Sequence, residues 1–343
     1  MSASKEIGGM LADQVDRLLT QEVDRDALLA MEAGQFPDAL RAQIEDLGAT
    51  LALVPEAARG AGLRWQDVEG LLRTLGRHSS PVPLGETIAT AALLSSANIA
   101  VPDGPLALVA QPLQLASDGR VSGQDSLVAW APSSRHLVGQ AERNGRQFLV
   151  LIQRDSTDQK ACSTYGRIPS ASVLMSAVRP VAIGEAQGPD VLSILAVLRA
   201  SQIAGALQEV LMQCIDYANT RQQFGKPIGK FQAIQQHLAE LALHAAATQV
   251  AALYGCRSLD AGTGRRGAAI AKIRAGTAAG AGAKLAHQIF GAIGITDEHR
   301  LHYYTRRLWQ WRGEAGSERA WAEELGQATL DAGSAKLWAT LVS

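Results

Sequence analysis

The sequence lacks the features of a secreted, membrane-spanning or nucleic-acid-binding protein. Its 343 residues include only three cysteines, Cys162, Cys214 and Cys256, which are far apart and fit neither a disulfide framework nor a zinc site with paired ligands. Its 32 basic and 33 acidic residues nearly balance, so no bulk charge attracts nucleic acid or an anionic membrane. No run approaches the roughly 18 to 20 apolar residues of a membrane span. We therefore expect a cytoplasmic protein with small-molecule or protein partners.

Proline is absent from the last third of the chain, since all 12 prolines lie at or before Pro227. Proline breaks helices, so its absence favours them. Two apolar stripes occur at helical spacing: Ile203, Leu207, Val210 and Cys214, then Ile234, Leu238 and Leu241. We expect helices from Leu192 onward, including residues 268–290 and 318–340.

The rest of the chain has two different textures. Residues 5–98 repeat apolar positions at helical spacing. Residues 101–189 contain the apolar runs LALVA, SLVAWA, HLVGQA and QFLVLIQ, separated by turn sequences such as SDGRVSG and ERNGR. The sequence therefore predicts an α+β protein of three domains: an N-terminal helical domain (1–100), a small antiparallel β domain (101–189) and a C-terminal helical bundle (190–343).

Two separated segments carry the main functional signal. The first is DYANTRQQFGKPIGKFQAIQQHLAE at residues 216–240, and the second is HQIFGAIGITDEHRLHYYTRRL at residues 287–308. Together they resemble the acyl-CoA dehydrogenase flavoprotein family, among its short bacterial-type members. The family's order of helical, β and helical domains agrees with the predicted plan.

The resemblance implies that the chain binds FAD. A flavin dinucleotide carries a pyrophosphate and an adenosine, so its pocket needs cationic and amide donors beside an aromatic or apolar face. Arg221 can supply a forked cation, Gln223 an amide and Phe224 a packing surface. An isolated arginine and glutamine beside a Gly-Lys-Pro turn also fit an ordinary surface loop, an alternative that the second segment disfavours.

In the family this site is shared between subunits. The arginine and phenylalanine that match Arg221 and Phe224 reach the FAD of a neighbouring subunit, as does the glutamine that matches Gln288. Gly291 and Ala292 follow, where the family's backbone approaches the dinucleotide. The resemblance therefore implies a homo- or hetero-oligomer, either a dimer or a tetramer.

The resemblance also implies a reaction and a catalytic base. Family members remove a proton next to the thioester carbonyl of an acyl-CoA and pass a hydride from the next carbon to the flavin, which then reduces an electron-transfer flavoprotein. The segment WQWRGEAGSERAW at residues 309–321 is similar to the family segment that carries the base and places Glu314 at its position. Gly313, Ala315 and Gly316 depart from the family's aromatic residue, glycine and threonine.

Two further positions bear on this choice. Some family members carry the base on the helix before the first segment, just before an arginine, where this chain has Leu198 before Arg199. Arg199, on an otherwise apolar helix, is either a surface residue or a buried charge paired in the active site, and the sequence leaves both open. Glu314, beside Arg312 in a glycine-rich turn, also fits a solvated surface acid.

The β domain departs furthest from the family pattern. Family members carry a Thr-Glu-Pro-like strand and an Ala-Gly-Ser-Asp turn that contact the flavin ring and substrate, whereas residues 109–119 read VAQPLQLASDG. Two functions are therefore open. One is an FAD-dependent acyl-CoA dehydrogenase of lipid metabolism that acts on CoA esters of bulky acids, as in steroid catabolism. The other is a noncatalytic partner subunit that lends Arg221 and Gln288 to its neighbour's FAD but has lost its own complete site.

Other cofactors find little support. Of the seven histidines, only His299 and His302 have a spacing suited to a shared metal, and they lack an evident third ligand. The run GAGAK at residues 280–284 lacks the full phosphate-loop pattern, which disfavours ATP binding. We therefore expect no metal site.

Overall fold

The chain forms helices, then a sheet, then longer helices. A computed structural model describes residues 3–333 and residue 335. The first five helices are α1 (Ala3–Glu22), α2 (Arg25–Glu32), α3 (Asp38–Asp46), α4 (Trp65–Arg77) and α5 (Leu84–Ser96). Their apolar positions recur at helical spacing, so that in α4 the side chains of Val68, Leu71, Leu72 and Leu75 are all buried.

A seven-stranded sheet follows. Its strands are β1 (Leu106–Leu115), β2 (Val121–Ala129), β3 (His136–Arg143), β4 (Arg146–Gln153), β5 (Asp158–Cys162), β6 (Ser170–Val178) and β7 (Ala182–Glu185), in the order β5-β6-β2-β1-β3-β4-β7. The prediction of antiparallel pairing is wrong for one ladder, because β1 and β3 pair in parallel. After β2 the chain passes to the other side of β1, so β3 runs in the same direction as β1.

Five α-helices make up the described residues of the C-terminal part. They are α6 (Val191–Thr220), α7 (Gln232–Asp260), α8 (Gly264–Phe290), α9 (Leu301–Gly313) and α10 (Glu318–Ala332), and a small hairpin of β8 (Gln222–Gln223) and β9 (Lys226–Pro227) joins α6 to α7. The predicted helices at 268–290 and 318–340 correspond to α8 and α10. α10 ends at Ala332, and residues 336–340 of the prediction lie outside the described residues.

Helix α8 packs closely against its neighbours because its buried face is rich in alanine and glycine. A Cβ atom on Gly282 would overlap the side chain of Leu207 on α6, and one on Gly267 would overlap Ser258 on α7. Small residues at these positions let the helix axes approach while the interior stays densely packed. The small-residue composition of this segment therefore serves helix packing.

Helix α6 lies at the centre of the fold. It has the length and hydropathy of a membrane span, but 89% of that stretch is buried against the rest of the protein. One hydrophobic cluster joins residues of the N-terminal helices, the inner strands and α6. The N-terminal helices and the inner strands therefore both pack against α6. The charged residues described below are buried where the sheet meets α6.

Candidate functional site

A surface groove of about 810 Å³ lies between the β8–β9 hairpin and the end of α8. All six residues that the sequence assigns to cofactor binding line it: Arg221, Gln223, Phe224, Gln288, Gly291 and Ala292. Tyr217, Phe231 and Phe290 add aromatic surface, and the rings of Tyr217 and Phe290 stack with centroids 4.3 Å apart. The two separated sequence segments therefore meet in one groove.

The tip of the β8–β9 hairpin presents Phe224 to the outside. The amide of Ile228 donates to the carbonyl oxygen of Arg221 at 2.8 Å and closes the base of the hairpin. Phe224 and Gly225 form its two-residue loop with φ values of 50° and 76°, the left-handed conformation that such loops require. This conformation is unfavourable for a bulky residue such as Phe224. Burial of the side chain does not compensate for the strain, because Phe224 is 91% exposed. A strained, exposed aromatic side chain indicates a contact surface.

The polar residues of the groove are free to bind a ligand. Arg221 makes no ion pair within the part of the chain that the structure describes, and its side chain is exposed, as is that of Gln288. A free guanidinium offers five donors in a planar fork, which suits a phosphate. Amides and aromatic rings suit a nucleoside. The groove therefore offers the donors and surfaces that the adenosine and pyrophosphate of FAD require.

A second cavity, of about 220 Å³, lies where the sheet meets α5, α6 and the turn after α9. Glu314 lines it together with Arg199 and Glu86. Arg199 is only 2% exposed. Its Nε donates to Glu314 Oε2 at 2.5 Å, and its Nη1 lies 2.7 Å from Glu86 Oε1. Of the two alternatives for Arg199, the structure shows the buried, paired charge.

Two carboxylates balance this buried arginine. Burial alone lowers the pKa of Arg199, but the charges of Glu314 and Glu86 outweigh it and raise that pKa above its ordinary value. Arg199 also donates to Gln202 Oε1 at 2.7 Å, and Gln310 Nε2 donates to Glu314 Oε1 at 2.6 Å. Each oxygen of Glu314 therefore accepts one hydrogen bond, which fixes the carboxylate at the cavity wall.

Glu314 is not a solvated surface acid, since its side chain is 8% exposed. Helix α9 ends at Gly313, and the amide of Glu314 still donates to the carbonyl oxygen of Gln310 at 3.1 Å. Leu198, at the alternative position for a base, is fully buried on α6 next to Gly85 and does not line the cavity. Of the two positions, only Glu314 brings a carboxylate to the cavity.

Strand β1 changes register beside the cavity, between Val109 and Leu113. The amides of Ala110 and Gln111 turn away from the ladder and donate to Asp125 Oδ2 at 2.8 and 3.2 Å. Asp125 is 3% exposed and lines the cavity. By the sequence resemblance, this stretch of β1 corresponds to the strand that contacts the flavin ring in the family. Here a carboxylate of the protein itself binds the strand amides.

The sequence reasoning missed three buried charges around Glu314: Glu86, Asp125 and Lys272, whose side chain lies beneath the Glu314 turn. Glu86 is the one charged residue in the apolar run LGETIATAALL, and Lys272 lies in the Ala-rich run AAIAKI. A lone charge on an apolar helix is a signal that could have found both, because buried charges require partners. Asp125 follows a turn sequence, as many surface acids do, and gives no such signal.

Comparisons with known proteins bear on the whole chain. Residues 190–324 match the family model of the acyl-CoA dehydrogenase C-terminal domain. Acyl-CoA dehydrogenase IpdE2 of Mycobacterium tuberculosis is 29% identical over 289 residues, which cover 82% of this chain and 83% of that protein.

Two solved structures share the fold. A variant of the Tcur3481-Tcur3483 steroid ACAD has a TM-score of 0.87 and 22% identity, covering 96% of this chain and 99% of that chain. The ChsE4-ChsE5 complex from Mycobacterium tuberculosis has a TM-score of 0.84 and 20% identity, covering 95% and 97%. The predicted fold, helices followed by a small sheet and a helical bundle, is confirmed.

Proposed function

Because the chain belongs to the acyl-CoA dehydrogenase family, we propose that it serves in an enzyme that introduces an α,β double bond into an acyl-CoA thioester. The groove carries this proposal, since a free arginine, two glutamines and an exposed phenylalanine converge there. These groups match the pyrophosphate and adenosine of FAD. The side chains of Arg221, Phe224 and Gln288 are exposed in a single chain, and the proposal places the FAD of a neighbouring subunit against them.

Glu314 is the proposed catalytic base. The proton leaves the α-carbon for a carboxylate oxygen of Glu314, and the electron pair of that C–H bond forms the new double bond. Bound FAD would supply the hydride acceptor for the neighbouring carbon. Arg199 and Gln310 keep the carboxylate in place, because each donates to one of its oxygens. An electron-transfer flavoprotein is the proposed electron acceptor.

The proposed substrates are CoA esters of bulky or steroid-type acids. The fold shared with a steroid ACAD supports this class. A cytoplasmic location remains part of the proposal, and the three unpaired cysteines support it because a reducing compartment keeps thiols free.

Asp125 favours a second candidate function, that of a noncatalytic partner subunit. The residues of this chain suit only part of FAD. The groove suits the adenosine and pyrophosphate, whereas the strand amides that are expected to contact the flavin ring already donate to the Asp125 carboxylate. A buried negative charge there removes two backbone donors. Such a subunit would lend Arg221 and Gln288 to its neighbour without holding a flavin ring of its own. ChsE4-ChsE5, which shares the fold, is a complex of two named proteins.

The visible absorption of bound flavin separates the two candidates. The chain is purified alone and together with candidate partner chains of the same family. A yellow preparation of the chain alone supports a complete site within a homo-oligomer. A colourless preparation that turns yellow only with a second chain supports the partner subunit.

Replacement of Glu314 by glutamine tests the base. Glu314→Gln keeps the size of the side chain and one of its two accepted hydrogen bonds but cannot accept the proton, so we expect turnover of acyl-CoA with a dye acceptor to fall by about 10²- to 10⁴-fold while FAD is retained. Glu323→Gln on α10 is the matched control, because Glu323 is 65% exposed. Full turnover in Glu314→Gln would place the base on another residue.

A further inference from the structure

A buried lysine holds the turn that carries Glu314. Lys272 lies on α8 and its side chain is fully buried. Its Nζ donates to the carbonyl oxygen of Arg312 at 2.7 Å and to that of Gly316 at 2.8 Å. One side chain therefore spans the turn of residues 313–315 from end to end.

The backbone of this turn provides little support of its own. Helix α9 ends at Gly313, and Ala315 and Gly316 both have positive φ, so carbonyl groups of the last helical turn lack amide partners within the helix. A cationic donor at a helix C-terminus satisfies such carbonyls and interacts favourably with the helix dipole. A second tie comes from Trp321, whose Nε1 donates to the carbonyl oxygen of Ala315 at 2.8 Å.

Lys272 is buried without an ion-pair partner among the described residues. Burial lowers its pKa to about 7, while Glu314 and Glu318 favour its charged form and Arg199 and Arg312 oppose it. Lys272 makes no ion pair with the residues that the structure describes. Methionine would fill the same space without the desolvation cost, so packing alone does not account for an amine here. The two carbonyl contacts do.

We propose that Lys272 is a positioning residue that fixes the turn of residues 313–315 and thereby aims the Glu314 carboxylate into the cavity. Arg199 and Gln310 hold the tip of that side chain, and Lys272 holds the backbone from which it projects. The inference rests on the proposed role of Glu314 as the base. Without Lys272 the carboxylate keeps its hydrogen bonds but the turn can shift, and a displacement of about 1 Å can cost about 10²-fold in rate.

Two lysine variants in the assembled, FAD-containing enzyme provide the test. Lys272→Met removes the donors and keeps the length of the side chain, and Lys284→Met is its control, since Lys284 is exposed on the same helix. We expect kcat to fall about 10- to 100-fold in Lys272→Met, with KM and FAD content nearly unchanged, because the displaced group acts on the transition state. Lys284→Met should match the wild type in all three.

Hydrogen exchange gives a readout that does not depend on activity. Amides of residues 313–317 should exchange faster in Lys272→Met than in the wild type or Lys284→Met, while those of α8 do not change. Unchanged exchange there overturns the proposal, and so does faster exchange with a wild-type kcat, which marks a purely structural tie. If Lys272→Met does not fold, Lys272→Gln, which keeps an amide donor pair, is measured against Lys272→Ala by the same two readouts.

The Glu314→Gln and Lys272→Met variants together distinguish failure of the inference from failure of the proposed function. If Glu314→Gln remains fully active, Glu314 is not the base and the aiming role fails with it, whatever the exchange shows. If Glu314→Gln is inactive and Lys272→Met is fully active, the base stands and only the role of Lys272 is refuted.

The pH dependence of stability checks the burial of the ammonium group. The unfolded lysine, with a pKa of 10.5, holds a proton that the folded one, with a pKa of about 7, has released. The unfolded state therefore binds more protons between these values, and the free energy of unfolding of the wild type should rise with pH relative to Lys272→Met. Equal slopes for the two proteins would contradict the lowered pKa of the Lys272 amine.

Discussion

At the scale of single residues, the turn after α9 combines one favourable and one unfavourable choice. Ala315 and Gly316 have φ values of 54° and 85°. Glycine adopts this left-handed conformation freely, whereas alanine pays about 1 kcal/mol or more for it. Gly316 is required for a second reason, because a Cβ atom there would lie 2.7 Å from Trp321 Nε1. The family's threonine could not occupy this position without moving Trp321.

We predict that Ala315→Gly increases the free energy of unfolding by about 0.5 to 1 kcal/mol, since relief of the left-handed strain exceeds the entropy gained by the unfolded chain. Gly316→Ala, the reverse change one residue further on, should destabilise the protein. Chemical denaturation of both variants measures the difference. A loss of stability in Ala315→Gly would contradict the backbone conformation described for this turn.

The residues that line the groove were predictable where they lie on a short segment that carries a motif. Arg221 and Gln288 are examples, because each stands within a contiguous block and each block folds into one wall of the groove. The partners of Glu314 were not predictable, because Glu86 and Lys272 reach it from α5 and α8. No local sequence pattern predicts which of these isolated charged residues will contact each other in the fold.

At the scale of elements, α4 and α6 cross at a pair of glycines. A Cβ atom on Gly205 would overlap the carbonyl oxygen of Arg73 on α4, and one on Gly76 would overlap the carbonyl oxygen of Gln202 on α6. The backbones therefore touch at this crossing. Gln202 of this crossing accepts a hydrogen bond from Arg199, so the crossing lies beside the buried guanidinium.

We predict that Gly205→Ala lowers the free energy of unfolding by about 1 to 3 kcal/mol or more, because the added methyl group forces the helices apart. Gly9→Ala in α1 is the matched control: no atom of the described residues lies within 4 Å of a Cβ atom there, so the higher helix propensity of alanine should stabilise the protein slightly. Thermal unfolding compares the two. Equal stability of Gly205→Ala and wild type would contradict the close crossing.

Elements were predictable in proportion to the regularity of their apolar pattern. The runs assigned to strands correspond to β1, β2, β3 and β4, and the proline-free stripes correspond to α6 and α7. Strand β5, with the sequence DQKAC, is almost fully exposed at the edge of the sheet, so no buried face imposes an alternating pattern on it. The parallel pairing of β1 with β3 depends on the path of the connecting segment, which composition does not encode.

At the scale of the whole molecule, we propose that the groove and the cavity serve different parts of FAD. The groove is open, and beside its free arginine it exposes Phe224 at 91% and Thr296 at its rim. The cavity is smaller and less open, and it is lined by the charged residues Glu86, Asp125, Arg199 and Glu314. In our account the groove of one chain receives the adenosine and pyrophosphate of FAD, and a neighbouring subunit supplies the remainder of the FAD site.

The FAD content of the assembled protein tests this account most directly. It is measured for the wild type, for Arg221→Ala and for Arg257→Ala, which removes an exposed arginine from α7 away from the groove. Loss of a charge-assisted contact to phosphate is worth about 1.5 to 3 kcal/mol, so we predict that Arg221→Ala binds FAD about 10- to 100-fold more weakly while Arg257→Ala retains it. FAD bound as tightly in Arg221→Ala as in the wild type would contradict the account.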